Sequence, residues 1–479
     1  MRIRSYRFVL LMAMGAAAGG CIASPGESPH PQDSSVDHAA ASGGTTASGG
    51  NPGTGGATST GGAIATGGAI ATGGVVSTGG MVSSGGSGSG GSLGSGGVTV
   101  STGGTQASSG GTHGGSGGSA GGGGRGGATA SSGGASGLGG KGSGEGCMPP
   151  TRYPNLFVTL SGHTQDETDA KVAKAWTSLF NPSGTGNIYF DGPGSDESYV
   201  TDILNKDVRT EGMSYGMMTA VQLNHQTEFD RLWTWVKKHM ANGTGEIAWS
   251  CSTTGAKNSN GGAPDGEEYM ATALIFANKR WGATGKYDYA KEAQWVLDLI
   301  RTKYINASNH IVKFVSNSSN TDASYILPAF YQVWACFDTA NAAFWNSTVT
   351  AGRQFFPKAI DGNGVIGDQS SFTGQTVKAA GPDTIRCVMN IMMDHNFFNA
   401  DPWQTETYAT KYGGYMASQN PGVAQMSCNA LLGFGLPAAT GKPFVDKLWA
   451  ANVPSRDYWN GVLYMLGLLH VSGTFHLWY

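Results

Sequence analysis

Beyond about residue 147, apolar positions recur at intervals of three and four, broken by loops rich in glycine, proline and asparagine. That period lines side chains up on one face of a helix. It predicts helices near 167–180, 212–224, 228–241, 266–281, 287–303, 323–338, 341–356, 384–398, 403–418, 421–433, 442–450 and 457–471. Some are apolar on nearly every side, such as "GVLYMLGLLHV" at 461–471, and must be buried between neighbours. Others keep a polar face, such as "DYAKEAQWVLDLIRTKY" from Asp288, and suit an outer layer. Strand-like runs are few, "NIYF" at 187–190 and "HIVKFV" at 310–315 being the clearest. Six inner and six outer helices suggest an all-α fold, an (α/α)6 barrel. Periodicity gives the count and not the closure, and an open bundle or solenoid would show the same pattern.

The first 146 residues follow different rules. "MRIRSYRFVLLMAMGAAAGGC" sets Arg2, Arg4 and Arg7 before an apolar run that ends in small residues, the layout of a secretory signal too short to span a membrane. Cys21 follows Ala18-Gly19-Gly20 and resembles the lipidated cysteine of bacterial lipoproteins, although Ala18 stands where an aliphatic residue is usual. An ordinary cleaved signal with an incidental cysteine is the other reading. Residues 22–146 are dominated by Gly, Ser and Thr in repeats such as "ATGGAIATGGVVSTGG". Such residues bury too little apolar surface to offset the entropy of ordering, so this segment is expected to be a disordered tether. A coil of that length has an end-to-end distance on the order of 60 Å. The expected organisation is a signal over 1–21, a tether over 22–146 and one globular domain over 147–479. The expected destination is the bacterial surface, as an outer-membrane lipoprotein, or secretion.

The net charge of −3 gives no electrostatic reason to expect nucleic acid as a partner, and a membrane enters only through the N-terminal anchor. The domain is expected to act as a monomer. Cys147, Cys251, Cys336, Cys387 and Cys428 are an odd set without CxxC spacing, so their pairing stays open and no zinc site is read from them. HExxH and Walker patterns are absent, the histidines are scattered, and neither metal nor cofactor is expected. His395 reads as an interior histidine rather than a ligand.

"DVRTEGMSYGMM" at 207–218 carries two competing signatures. Gly212-Met213-Ser214-Tyr215-Gly216 fits G-x-S-x-G, but a nucleophile elbow needs a buried strand before the serine, and "TDILNKDVRTEG" is polar and without a β-branched run. Glu211, beside it, stands where a loop enters an apolar helix. Asp265 after Pro264 and Asp383 after Pro382 stand in the same way. Either aspartate could be only an N-cap, and Asp265 with Glu268 has the D-x-x-E spacing of a capping box. In a closed helical barrel, however, the starts of the inner helices gather at one end, so distant acids can share a cleft. Glycosidic bond hydrolysis needs two such acids, one protonated and one ionised. Arg386, one turn after Asp383, could orient that carboxylate or merely pair with it on the surface. Aromatic residues near these loops, Tyr215, Trp249, Tyr269, Tyr325, Tyr331, Trp403, Tyr458 and Trp459, could stack on sugar rings, or simply be core.

"DVRTEGMSYGMMTAVQLN", "APDGEEYMATALIFANKRWG", "DASYILPAFYQVW", "PDTIRCVMNIMMD" and "DYWNGVLYMLGLLHVSG", in order across 152–475, together resemble glycoside hydrolase family 8. They are most similar to its branch of reducing-end xylose-releasing exo-oligoxylanases. The resemblance implies an (α/α)6 barrel and a cofactor-free inverting mechanism on neutral β-1,4-linked oligosaccharides or polysaccharides. It implies Glu211 as general acid, Asp383 as general base and Asp265 as the acid that holds the distorted sugar. It further implies substrate contacts at Trp249, Tyr325, Arg386 and Tyr458. Where the family often has Ser-Asp-Ala or Tyr-Asp-Ala, this chain has Pro382-Asp383-Thr384, which keeps the spacing from acid to arginine. An endo-acting xylanase or β-glucanase of the same family, and a tethered glycan-binding protein without turnover, are the alternatives.

Overall fold

Each helix begins where the local sequence favours one. Thr164 opens the first long helix with a capping box: its hydroxyl accepts the Glu167 N–H at 3.2 Å, and the Glu167 carboxylate accepts the Thr164 N–H at 2.8 Å. Proline opens two others, at Pro264 and Pro328, where its missing N–H costs nothing. The structure, a computed structural model, describes residues 147–243 and 245–479, all within one compact unit. The signal, Cys21 and the expected tether lie outside the described residues.

In chain order the helices are α1 (Leu156–Thr159), α2 (Gln165–Leu179), α3 (Thr210–Leu223), α4 (Gln226–Trp235), α5 (Pro264–Trp281), α6 (Tyr289–Leu299), α7 (Pro328–Phe337), α8 (Ala342–Ala359), α9 (Cys387–Phe398), α10 (Thr410–Ala417), α11 (Val423–Asn429), α12 (Ala438–Ala450) and α13 (Tyr458–Val471). All twelve segments expected from periodicity are present. The four-residue α1 is too short to show a period. Several ends are tightened or loosened by short 3₁₀ or π turns, which extend α4 to Met240 and α6 to Tyr304.

Burial sorts the helices into two layers. In α5 every residue from Pro264 to Ala277 is buried, and in α13 only Trp459 and Asn460 are not. By contrast α6 buries Ala293, Val296 and Leu297 and exposes Lys291, a single stripe facing inward. Closure comes from contacts that periodicity does not encode. The inner helices touch in sequence, α3 to α5, α5 to α7, α7 to α9, α9 to α11 and α11 to α13, and α13 returns to α3. With α2, α4, α6, α8, α10 and α12 outside, this is the (α/α)6 barrel.

Among the described residues, seven short strands decorate the loops. They are β1 (Tyr189–Asp191), β2 (Ser198–Val200), β3 (Asp207–Arg209), β4 (Ser250–Ser252), β5 (Asn320–Thr321), β6 (Gln369–Ser371) and β7 (Thr376–Lys378), paired antiparallel as β1-β2, β3-β4 and β5-β6-β7. "NIYF" enters β1 as expected. "HIVKFV" does not form a strand: only Val312 bridges, to Ile305, and His310 sits at φ +58°, which breaks an extended run before it starts. Cys147 is joined to Cys336, tying the start of the domain to the end of α7, while Cys251, Cys387 and Cys428 are buried thiols.

The tightest inner contact lies between α3 and α5, where Gly266 meets Thr210. A Cβ on Gly266 would stand 2.4 Å from Thr210 Cβ and 2.9 Å from its carbonyl carbon, so a methyl group would force the two helices apart. Gly266→Ala is expected to destabilise the domain by about 1–3 kcal/mol, read as a lower urea midpoint at unchanged slope. An unaltered midpoint would show that this contact does not set the helix spacing.

Candidate active site

The starts of the inner helices meet at one end of the barrel. β3 runs directly into α3 and pairs with β4, Arg209 opposite Ser250 and Asp207 opposite Ser252. The Thr210 N–H, at the first residue of α3, donates to the Trp249 carbonyl at 2.9 Å. Glu211 is therefore held in the first turn of α3 beside the loop that carries Trp249. The polar stretch before Ser214 does contain a buried strand, contrary to the sequence expectation, because β3 draws its stability from pairing with β4 and not from apolar residues. The elbow fails for a different reason. Ser214 lies inside α3, fully buried, and its hydroxyl donates to the Glu211 carbonyl at 2.9 Å.

Neither aspartate is an N-cap. Ala263 caps α5 without a side-chain hydrogen bond. Asp265 turns one oxygen to the Gly266 N–H at 2.9 Å, and Glu268 accepts from the Tyr331 hydroxyl at 2.8 Å, so the capping box expected from D-x-x-E does not form. Asp383 opens a 3₁₀ turn, Asp383–Arg386, that leads into α9, also without capping.

Arg386 gathers all three acids. Its Nη1 stands 2.6 Å from Glu211 Oε1, 2.7 Å from Asp265 Oδ2 and 2.9 Å from the Tyr215 hydroxyl, and its Nη2 donates to Asp383 Oδ1 at 3.1 Å. The guanidinium lies over Trp459 at 5.3 Å and Tyr325 at 5.7 Å, whose π faces favour a cation. Two N–H protons on Nη1 face three oxygens, a crowding that is relieved when Glu211 carries a proton of its own. Burial pushes the Glu211 carboxyl well above the usual carboxylate range and the Asp265 charge adds to this, with Arg386 opposing. Asp265 is raised by burial and opposed by Arg386 and by the hydrogen bond with Glu211. Both carboxyls are raised, Glu211 the further of the two, so a proton in this pair favours Glu211.

Exposure separates the roles. The Glu211 and Asp383 side chains retain 17% and 27% exposure, whereas Asp265 retains 3%. Tyr458 begins α13 and lies against Gly212, where a Cβ would come within 2.5 Å of its ring. Its hydroxyl is buried without a protein partner. Trp249 lies 5.5 Å below the Arg209 guanidinium, itself paired with Asp207, and its indole N–H is likewise unpartnered. Tyr325 closes a short 3₁₀ turn that Asp322 caps through the Ser324 N–H at 2.8 Å. Glu211, Asp265, Asp383, Arg386 and Tyr325 thus converge directly, Tyr458 joins through α3, and Trp249 stands one layer away. Of the other aromatics singled out, Tyr215 and Trp459 reach Arg386. Tyr269 packs behind Tyr215 and Phe330, and Trp403 packs on Tyr408 of the outer layer.

The sequence reading missed Asp322 and Asp368. They leave the same end of the antiparallel pair β5-β6, and both are buried. Burial raises their carboxyls first and the Asp383 charge raises them further, so the two crowd the expected base from one side. Asp368 also accepts the Thr384 N–H at 3.3 Å and pairs with Lys378 at 3.3 Å, which anchors the turn that carries Asp383. The only sequence signal was an aspartate leaving a short polar run, which is indistinguishable from a cap.

The profile of glycosyl hydrolases family 8 matches residues 195–473. A reducing-end xylose-releasing exo-oligoxylanase of Halalkalibacterium halodurans is 31% identical over 381 residues, covering 70% of this chain and 97% of the relative. The solved structure of Rex8A from Paenibacillus barcinonensis, complexed with xylose, aligns with a TM-score of 0.64 at 30% identity, over 68% of this chain and 98% of that one. Endoglucanase C of Ruminiclostridium cellulolyticum is 27% identical over 304 residues and 65% of its length. With a profile spanning more than half of the chain and a relative matched almost end to end, this chain belongs to glycosyl hydrolases family 8.

Proposed function

We propose that this protein hydrolyses β-1,4 bonds of xylo-oligosaccharides with inversion, releasing xylose from the reducing end. The observation that carries the reading is the Arg386 guanidinium clasping two carboxylates, Glu211 and Asp383, that both keep solvent exposure. The substrate class is supported by the relative matched over nearly its whole length, an exo-oligoxylanase, whereas the endoglucanase matches over a shorter span.

In this mechanism Glu211 gives its proton to the glycosidic oxygen as the bond to the anomeric carbon breaks. Asp383 takes a proton from a water that attacks that carbon from the opposite face. Inverting pairs stand roughly 6.5–9.5 Å apart to admit the water, and a guanidinium between the two oxygens here holds them off contact. The leaving sugar departs with its hydroxyl restored, and the new hydroxyl lies on the inverted side. Asp265, buried and charged beside the reacting centre, opposes the positive charge that develops on the sugar ring and keeps Glu211 protonated until reaction. After turnover the two carboxyls exchange protons with solvent.

The N-terminal pattern up to Cys21, followed by the long glycine-rich segment, supports placing this domain on a lipid anchor at the bacterial surface. A tether on the order of 60 Å would let it range over a bulky substrate.

Xylotriose labelled at its reducing end tests the reaction. The expected products are labelled xylose and unlabelled xylobiose, with turnover lowered roughly 10²–10⁴-fold by Glu211→Gln or Asp383→Asn at near wild-type stability. Mixed internal fragments from longer chains would assign endo action, and no cleavage would assign a binding protein. Rates close to wild type in both variants would remove the two-carboxylate mechanism. The pH profile carries a second expectation. Activity needs Glu211 protonated, so kcat/KM falls at alkaline pH as that proton is lost, and the neighbouring Asp265 charge moves this limb upward. Asp265→Asn is therefore expected to shift the alkaline limb to lower pH, in addition to lowering kcat. A limb that stays in place would show that Asp265 does not set the acid's protonation.

A further inference from the structure

The turn that carries Asp383 has a second working edge. In a 3₁₀ turn, residues three apart fall on the same side. Asp383 and Arg386 share the edge that faces the carboxylate cluster. Gly381, Thr384 and Cys387, also three apart, line instead a half-enclosed cavity of about 220 Å³ between this turn, the loop after α8 and the outer helix α10.

The opposite wall is aromatic. Tyr408 and Tyr412 stack with ring centroids 5.5 Å apart at an interplanar angle of 7°, and Tyr415 stands at the lip with 38% exposure, one of few large apolar side chains so exposed. Gln425 reaches in from α11 on weak bonds only, 3.4 Å to the Tyr412 hydroxyl and 3.8 Å to the Met416 sulfur, so its amide is available to a better acceptor. Gly364, at φ +83°, lies close enough to α10 that a Cβ there would stand 3.0 Å from the Tyr412 backbone nitrogen, and it closes that side. None of the lining residues carries a charge. One exposed ring at the lip, buried tyrosines behind it and one amide, with no ionised group, suit a neutral polyol. A half-enclosed space of this size admits one sugar unit.

We propose that this cavity is a second saccharide pocket, which holds one neutral sugar unit of a xylan chain beside the turn that carries the base. The substrate class rests on the function proposed above, while the pocket itself does not. An occupant would touch Thr384, one residue from Asp383, so the pocket can hold a neighbouring sugar chain against the enzyme while the cleft works.

The test is an NMR titration of the full chain bearing Glu211→Gln, labelled on its tyrosine rings, with xylobiose as the probe. The expected result is two saturation curves, one followed by Tyr408, Tyr412 and Tyr415 and another by Tyr325 and Tyr458. Gln425→Ala should weaken the first at least tenfold and leave the second within twofold. Tyr415→Ala, at the exposed lip, should do the same without disturbing the core. Shifts confined to Tyr325 and Tyr458 would overturn the pocket while leaving the substrate class standing. A first curve untouched by both substitutions would overturn it as well, and an absence of shifts at all five tyrosines would sink the pocket and the substrate class together.

Discussion

One buried guanidinium holds this site together. Arg386 is nearly inaccessible, and a charge placed there is tolerable only because Glu211, Asp265 and Asp383 surround it. The dependence runs both ways, since three acids so close would repel one another without it. Its planar fork reaches oxygens on both terminal nitrogens at once, a geometry that a lysine ammonium cannot reproduce. The contacts come from the starts of α3 and α5 and from the turn before α9, so the cluster exists only when the ring of inner helices closes. Two glycines permit that approach: Gly266 brings α5 against α3, and Gly212 makes room for Tyr458.

A single cation among several acids also explains why chemically similar carboxyls take different roles. Glu211 lies where burial and the Asp265 charge both favour its proton, and it still keeps some exposure. Asp265 has almost no access, and in the proposed mechanism it serves as fixed charge. Asp383 is the most open of the three, on a turn anchored from behind by Asp368 and Lys378. In the proposed mechanism, acid, base and electrostatic support follow from position on the ring and not from residue type.

Much of this was legible in the sequence, and the parts that were not have physical causes. The twelve helices showed because inner ones are apolar all round and outer ones are striped, as α13 and α6 illustrate. Closure did not show, because it resides in contacts such as α13 with α3 that no local pattern encodes. Apart from β1, the strands escaped because two or three residues such as "DVR" or "SCS" have no room for an alternating pattern, and one of them, β3, lies directly before α3. Glu211, Asp383 and Arg386 stood out by their places at helix starts. The same rule misread Asp265 and Glu268 as a capping box, since sequence spacing does not reveal that Arg386 and Tyr331 claim those carboxyls instead. Asp322 both caps a turn and crowds the expected base, and no local pattern separates the second role from the first.

The account rests on a water entering between two carboxyls that flank one arginine, and the anomeric outcome reports that directly. Proton NMR during the first turnovers of xylotriose, faster than mutarotation, should show the new reducing end of xylobiose appearing as the α-anomer. Initial accumulation of the β-anomer would mean retention, and would contradict the roles assigned to Glu211 and Asp383.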